Sequence, residues 1–125
     1  MTRARELVLE TLKSSGEPLS AQALYAAIGR ACDQATVYRA LGFLEAKGLA
    51  ESFVLHCDEH GTERYYCAGD AGHRHWFHCE RCHRFIDLGA CRLGALLDAM
   101  ESERGLTVLH HALYLSGLCP SCSGS

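Results

Sequence analysis

The sequence predicts an α+β chain built in two parts, a winged helix-turn-helix followed by a smaller α/β unit. Three observations predict it. Apolar residues recur at helical spacing, broken by Ser, Gly and Pro, over the first 48 positions. Two strand-like runs then flank the turn-rich segment DEHGT. Two Cys-x-x-Cys pairs, Cys79/Cys82 and Cys119/Cys122, lie among short strand-like runs in the second half.

The elements follow in order. Residues 3–14 place Leu7, Val8 and Leu12 near one helical face, and Ser14, Ser15, Gly16 and Pro18 break that helix. Ser20 is an N-cap for a second helix whose inner stripe is Ala23, Leu24, Ala27 and Ile28, ended by Gly29. Asp33 caps a third helix over 34–47, with Val37, Leu41 and Leu44 inward and Gly48 as its stop. Three short helices with tight turns are a helix-turn-helix arrangement. Residues 49–55 and 63–67 read as the strands of a wing. Residues 73–88 read as short strands around the first cysteine pair. Residues 91–104 form an amphipathic helix with Leu93, Leu96, Leu97 and Met100 inward, and 106–118 form a last strand region. The expected boundaries are 1–53 for the helix-turn-helix unit (its wing reaching as far as 67), 54–72 for hinge and wing, and 73–125 for the second unit.

Composition narrows the chemistry. No apolar run approaches membrane-spanning length and the N-terminus is charged, so a soluble, cytoplasmic protein is expected. In a reducing cytosol, eight cysteines point to metal or redox chemistry rather than disulfides. All eight histidines and seven of the eight cysteines lie at or after position 56. The net charge of −3 gives no global sign of nucleic-acid binding, so any such contact must come from a local cluster.

Cys79, Cys82, Cys119 and Cys122 supply four thiolates as two knuckles, the set a closed tetrahedral zinc site needs. Four thiolates leave no open position, so that zinc is structural. A second set is mixed. His73 and His75 alternate along a strand, with His56, Cys67 and Asp87 as further ligand types nearby. Imidazole, thiolate and carboxylate together suit zinc, and the thiolate disfavours manganese and other hard ions. On the third helix, Thr36, Tyr38 and Arg39 sit between core positions, where Arg39 can read guanine or hold phosphate. Arg3, Arg5, Lys13 and Lys47 are available for phosphates.

The run QATVYRALGFLEAKGLAE resembles the recognition helix and following turn of the ferric uptake regulator family, through Thr36, Val37, Tyr38, Arg39, Leu41, Gly48 and Leu49. The resemblance continues through LSAQALYAAI, RYYC, HRHWFHCERC and HALYLSGLCPSC, in the family's order. It implies a dimeric, metal-responsive repressor with a winged-helix DNA-binding half, a hinge and an α/β dimerisation half. It also implies that the four knuckle cysteines hold a structural zinc, and that a regulatory site at the hinge draws on His56, Cys67, His73, His75 and Asp87, with four of the five binding.

The zinc uptake regulator branch is the most similar, because Cys67 stands where iron and peroxide sensors carry a carboxylate. Pro18 stands where those sensors take a histidine. The family's His-x-His-x-x-Cys spacing is stretched by one residue, through Trp76, Phe77 and His78, which leaves open whether His73 or His75 is the ligand. Gly72 and Arg74 occupy the places from which some relatives build a third site, so that site is expected to be absent. His110 and His111 precede the last strand; His111 matches a histidine frequent in the family but is not expected to bind. His60, His78 and His83 are expected as non-ligands, and Cys32, Cys57 and Cys91 as free thiols.

The resulting reading is a zinc-responsive repressor that binds a palindromic double-stranded DNA operator as a homodimer, with two zincs per chain. Its rivals are a peroxide- or iron-responsive regulator of the same family, a zinc hydrolase built on His73 and His75, and a purely structural zinc module that binds protein. The hydrolase lacks a general base at a His-Glu-x-x-His spacing.

Overall fold

The computed structural model describes residues 1–29, 31–69 and 74–124, and the chain divides into two compact units, Met1–Ala71 and Gly72–Ser125. The first unit runs α1 (Arg3–Ser14), β1 (Leu19–Ser20), α2 (Ala21–Ala27), α3 (Gln34–Ala46), β2 (Ala50–Cys57) and β3 (Gly61–Ala68). Each helix starts on a side-chain cap. Thr2 accepts from the Arg5 N–H, Ser20 from the Ala23 N–H and Asp33 from the Thr36 N–H. Such caps satisfy donors that a helix's first turn cannot pair internally.

Val8 and Leu12 of α1, Leu24 of α2, and Val37, Leu41 and Leu44 of α3 meet in one core, each no more than 3 % exposed. Burying a side chain of this kind is worth about 1.5–3 kcal/mol. Gly48 ends α3 with a φ of +73°, a left-handed conformation that a side chain would strain. β2 and β3 form an antiparallel hairpin, and β1, a strand the sequence pattern does not show, pairs with the outer side of β3 to give the order β1-β3-β2. The core positions of Tyr66 and Ala50 seat this sheet on the helices.

The second unit runs β4 (Arg74–Cys79), β5 (Phe85–Ala90), α4 (Gly94–Arg104), β6 (Tyr114–Gly117) and α5 (Pro120–Ser123). The sheet order is β5-β4-β6. β4 and β5 are antiparallel across the first cysteine knuckle, and the crossover through α4 returns β6 parallel to β4. Two expectations need correction. α4 buries none of its residues; Leu96 is 52 % and Met100 44 % exposed, because among the described residues of this chain no second layer covers that face. The last strand region forms a ladder only over Tyr114–Gly117. Leu106, Leu109 and Leu113, just before it, also face outward. No described helix is long and apolar enough to cross a membrane.

Candidate metal centres and recognition helix

The two knuckles converge. Cys79 ends β4, Cys82 closes the turn after it, Cys119 is the N-cap of α5 and Cys122 lies within that helix. Parallel pairing of β4 with β6 sets Cys79 opposite Gly117, so the second knuckle starts where the first one does. The four sulfurs all lie within 4.8 Å of one another, and Cys82 Sγ is 3.8 Å from Cys119 Sγ. Sulfurs about 2.3 Å from a tetrahedral zinc are about 3.8 Å apart, so the donor set fits that ion.

Backbone amides tune the sulfurs. The Cys82 N–H donates to Cys79 Sγ at 3.5 Å, and the Cys119 N–H donates to it at 3.4 Å. Led by the Cys82 amide, these bonds lower the Cys79 thiol to about 5 against the cost of burial. Burial pushes the Cys119 thiol up, but hydrogen bonding from Cys122 and Cys82 together leaves the net shift downward. Cys122 is pushed up to about 12, first by its hydrogen bond with Cys119. Four thiolates on a divalent ion leave two negative charges. Two cations stand by: Arg84, held more firmly protonated by hydrogen bonding to the Cys119 sulfur, and Arg81, whose Nη1 donates to the Cys122 carbonyl at 3.0 Å.

A second group forms elsewhere in the same unit. His75, Cys91 and His111 bring one ligand atom each within 4.8 Å of the others. His75 lies on β4, Cys91 just past β5, and His111 in the extended segment before β6. His75 is 6 % exposed, and its Nδ1 is 3.0 Å from the Leu113 carbonyl oxygen. A carbonyl only accepts, so Nδ1 carries the proton and Nε2 keeps the lone pair. The His75 and His111 rings are 5.3 Å apart, and His111 Nε2 is 3.4 Å from Cys91 Sγ.

A β-bulge shapes the position. Between the pairs Arg74↔Ala90 and Trp76↔Asp87, β4 carries one residue, His75, while β5 carries two, Leu88 and Gly89. Gly89 takes the extra step at φ +83°, where a side chain would be strained. Cys91 and His111 were expected to be a free thiol and a non-ligand. Parallel pairing of β4 with β6 aligns the chain ahead of both knuckles and brings the two beside His75. A histidine preceding each cysteine pair, His75 by four residues and His111 by eight, is the sequence signal for it.

The expected regulatory residues fall as follows. His75 joins Cys91 and His111. His56 is exposed on β2, its Nδ1 2.9 Å from Thr62 Oγ1 and its Nε2 3.9 Å from Asp58. Cys67 is half-buried on β3. His56 pairs with Thr62 and Cys67 with Glu51, so five register positions separate them, about 17 Å along the ladder. The hairpin register thus holds His56 and Cys67, two of the five residues from which four ligands were expected, apart along the ladder. Asp87 is engaged at both oxygens, by Arg74 Nη1 at 2.9 Å and by the Gly89 N–H at 2.7 Å. His73 lies outside the described residues. His78 is buried, with the rings of His83 and Phe85 about it.

On α3, Tyr38 and Arg39 are exposed and Thr36 is half-buried. Arg39 Nη2 donates to Thr36 Oγ1 at 3.1 Å. Asp33 is lowered below the usual carboxylate range by hydrogen bonding from Thr36, and caps the positive end of the helix. Arg5 has a packing role: its guanidinium lies 3.7 Å from the centroid of the Phe43 ring, tying α1 to α3.

The profile of the ferric uptake regulator family matches residues 1–116. The chain belongs to this family. It is similar to the ferric uptake regulation protein of Neisseria gonorrhoeae, 30 % identical over 113 residues, which are 88 % of this chain and 76 % of that protein. Its fold is similar to that of the Helicobacter pylori ferric uptake regulator, a protein with three functional metal-binding sites, at a TM-score of 0.79 and 23 % identity, over 100 % of this chain and 83 % of that one. It is also similar to a zinc uptake regulator complexed with zinc and DNA, at a TM-score of 0.68 and 22 % identity, over 98 % of this chain and 83 % of that one. Members of the ferric uptake regulator family are metal-responsive, DNA-binding transcription regulators, and this chain is therefore a regulator and not a hydrolase.

Proposed function

We propose that this regulator is a zinc-responsive repressor, binding palindromic operator DNA as a homodimer when its regulatory site holds metal. One observation carries the choice of metal: sulfur is present in both candidate centres of the second unit. The four-cysteine group supports a structural zinc. The His75–Cys91–His111 group offers two nitrogens and a sulfur with a position left over, a set suited to an exchangeable borderline cation and ill suited to manganese. In this reading the regulatory metal is held around His75.

Thr36, Tyr38 and Arg39 are the proposed base-reading and phosphate-holding residues of α3. Exposed Leu96, Met100, Leu109 and Leu115 support pairing of the second unit with another copy, since a soluble chain rarely leaves so much apolar surface bare. Metal controls DNA binding only if it binds the DNA-competent arrangement more tightly than the incompetent one.

The test is metal analysis followed by gel shifts on operator DNA selected from a random pool. Two zincs per chain are expected. A chelator that strips one of them should abolish the shift, and zinc should restore it. Restoration by ferrous iron but not by zinc would replace the zinc reading with an iron one. A shift that ignores chelator would remove metal control.

A further inference from the structure

We propose that Cys91 sets the metal preference of the centre at His75, admitting zinc-like borderline cations and excluding hard ones. This rests on the reading that a second metal is held there.

The geometry treats the three residues unequally. His75 is fixed: it is buried, opposite a bulge, and held at Nδ1 by the Leu113 carbonyl, which aims Nε2. A backbone carbonyl on the far nitrogen is the usual device for orienting a ligating imidazole. His111 turns its Nε2 toward Cys91 Sγ at 3.4 Å, so the sulfur and the nitrogen converge on common ground. Two imidazoles alone discriminate weakly among zinc, iron, nickel and copper. The third donor then decides. A carboxylate at position 91 would give a nitrogen–oxygen set tolerant of manganese and ferrous iron. The thiolate turns the set toward cations that bond well to sulfur.

No carboxylate belongs to the group among the described residues, and the nearest candidate by sequence, Asp87, is spent on Arg74 and the Gly89 amide. Cys91 also lies three residues before α4 and directly after β5, where the chain leaves the sheet, so a change of side chain there leaves the ladder of β4 and β5 intact. It is thus a position at which selectivity can change without loss of the fold.

The experiment uses full-length protein whose four-cysteine site is filled with zinc, at one zinc per chain. Cobalt(II) is titrated into wild type, Cys91→Ser and Cys91→Asp, and competition with zinc and manganese(II) gives relative affinities. In wild type, one further cobalt should bind with a sulfur-to-cobalt charge-transfer band. That band should vanish in both variants while the first zinc is retained. Cys91→Asp should shrink the zinc-over-manganese preference by roughly 10–100-fold, since even residues that merely orient a ligand change metal affinity by that much.

A second cobalt that binds without the sulfur band, or an unchanged preference in Cys91→Asp, overturns the role of Cys91 while leaving a second metal in place. Failure of wild type to bind any second metal overturns the regulatory reading itself. If Cys91→Asp loses its first zinc, the Cys91→Ser spectrum decides alone: a retained band refutes the assignment.

Discussion

The two units are held together by different means. In Met1–Ala71, three capped helices close over an aliphatic core, and fully buried Leu24, Leu41 and Leu44 carry it. Among the described residues of Gly72–Ser125, the fully buried side chains are His78, Cys79 and Cys119, while α4 buries nothing. One unit is stabilised by removing hydrocarbon from water. The other gathers sulfur and imidazole, groups that gain most of their stabilising effect from an ion, and leaves Leu96, Leu109 and Leu115 exposed. The reader half is accordingly expected to fold by itself, and the second half to depend on what it binds.

Emptying the four-cysteine group of the zinc proposed for it should break this comparison most visibly. Exhaustive chelation, or Cys119→Ser, should unfold the second unit and leave the first helical, because structural zinc contributes about 10–16 kcal/mol to small domains that lack a large core. Amide hydrogen exchange should show protection lost after residue 74 and kept in α1 to α3. Equal loss in both units would mean that they do not fold separately. The reciprocal change is Leu44→Ala in the aliphatic core. It should cost about 2–5 kcal/mol in the first unit, read by urea melts, with zinc content unchanged.

A smaller effect concerns reading alone. Arg39→Ala should weaken operator binding by about 1–3 kcal/mol, measured by anisotropy, with stability nearly unchanged. Cys67→Ser sharpens the placement of the regulatory metal. With the ion held by His75, Cys91 and His111, the zinc response should persist; its loss would return Cys67 to the ligand set.

The smallest effect is in the protons. Ligating thiols must shed theirs, so zinc affinity of the four-cysteine site falls as pH falls. Cys79 is already a thiolate above about pH 5, so zinc uptake at pH 7 should release fewer than four protons. The fall should steepen by one proton below about pH 5. Calorimetry in buffers of different ionisation enthalpy measures this.

Much of the first unit was legible in the sequence, because caps and breaks are local: Ser20, Asp33 and Gly48 each mark a helix end by their own chemistry. The four-cysteine group was legible too, since two residues between sulfurs fix a knuckle wherever it sits. β1 was not, because two residues carry no period and Leu19 and Ser20 become a strand only by pairing with Tyr66 and Tyr65. The group at His75 escaped for the same reason. Its members lie 16 and 20 residues apart, and only the bulge at Gly89 and the parallel register of β4 with β6 bring them together. Periodicity also turned α4 inward, since an apolar stripe does not say whether its cover comes from the same chain.

The most direct test measures operator affinity against buffered free zinc, for wild type and His75→Ala side by side, with the four-cysteine group loaded with zinc in both. The account predicts that wild-type affinity climbs as free zinc rises, and that His75→Ala stays flat at the metal-poor value while keeping its fold. A His75→Ala protein that follows the wild-type curve would contradict it.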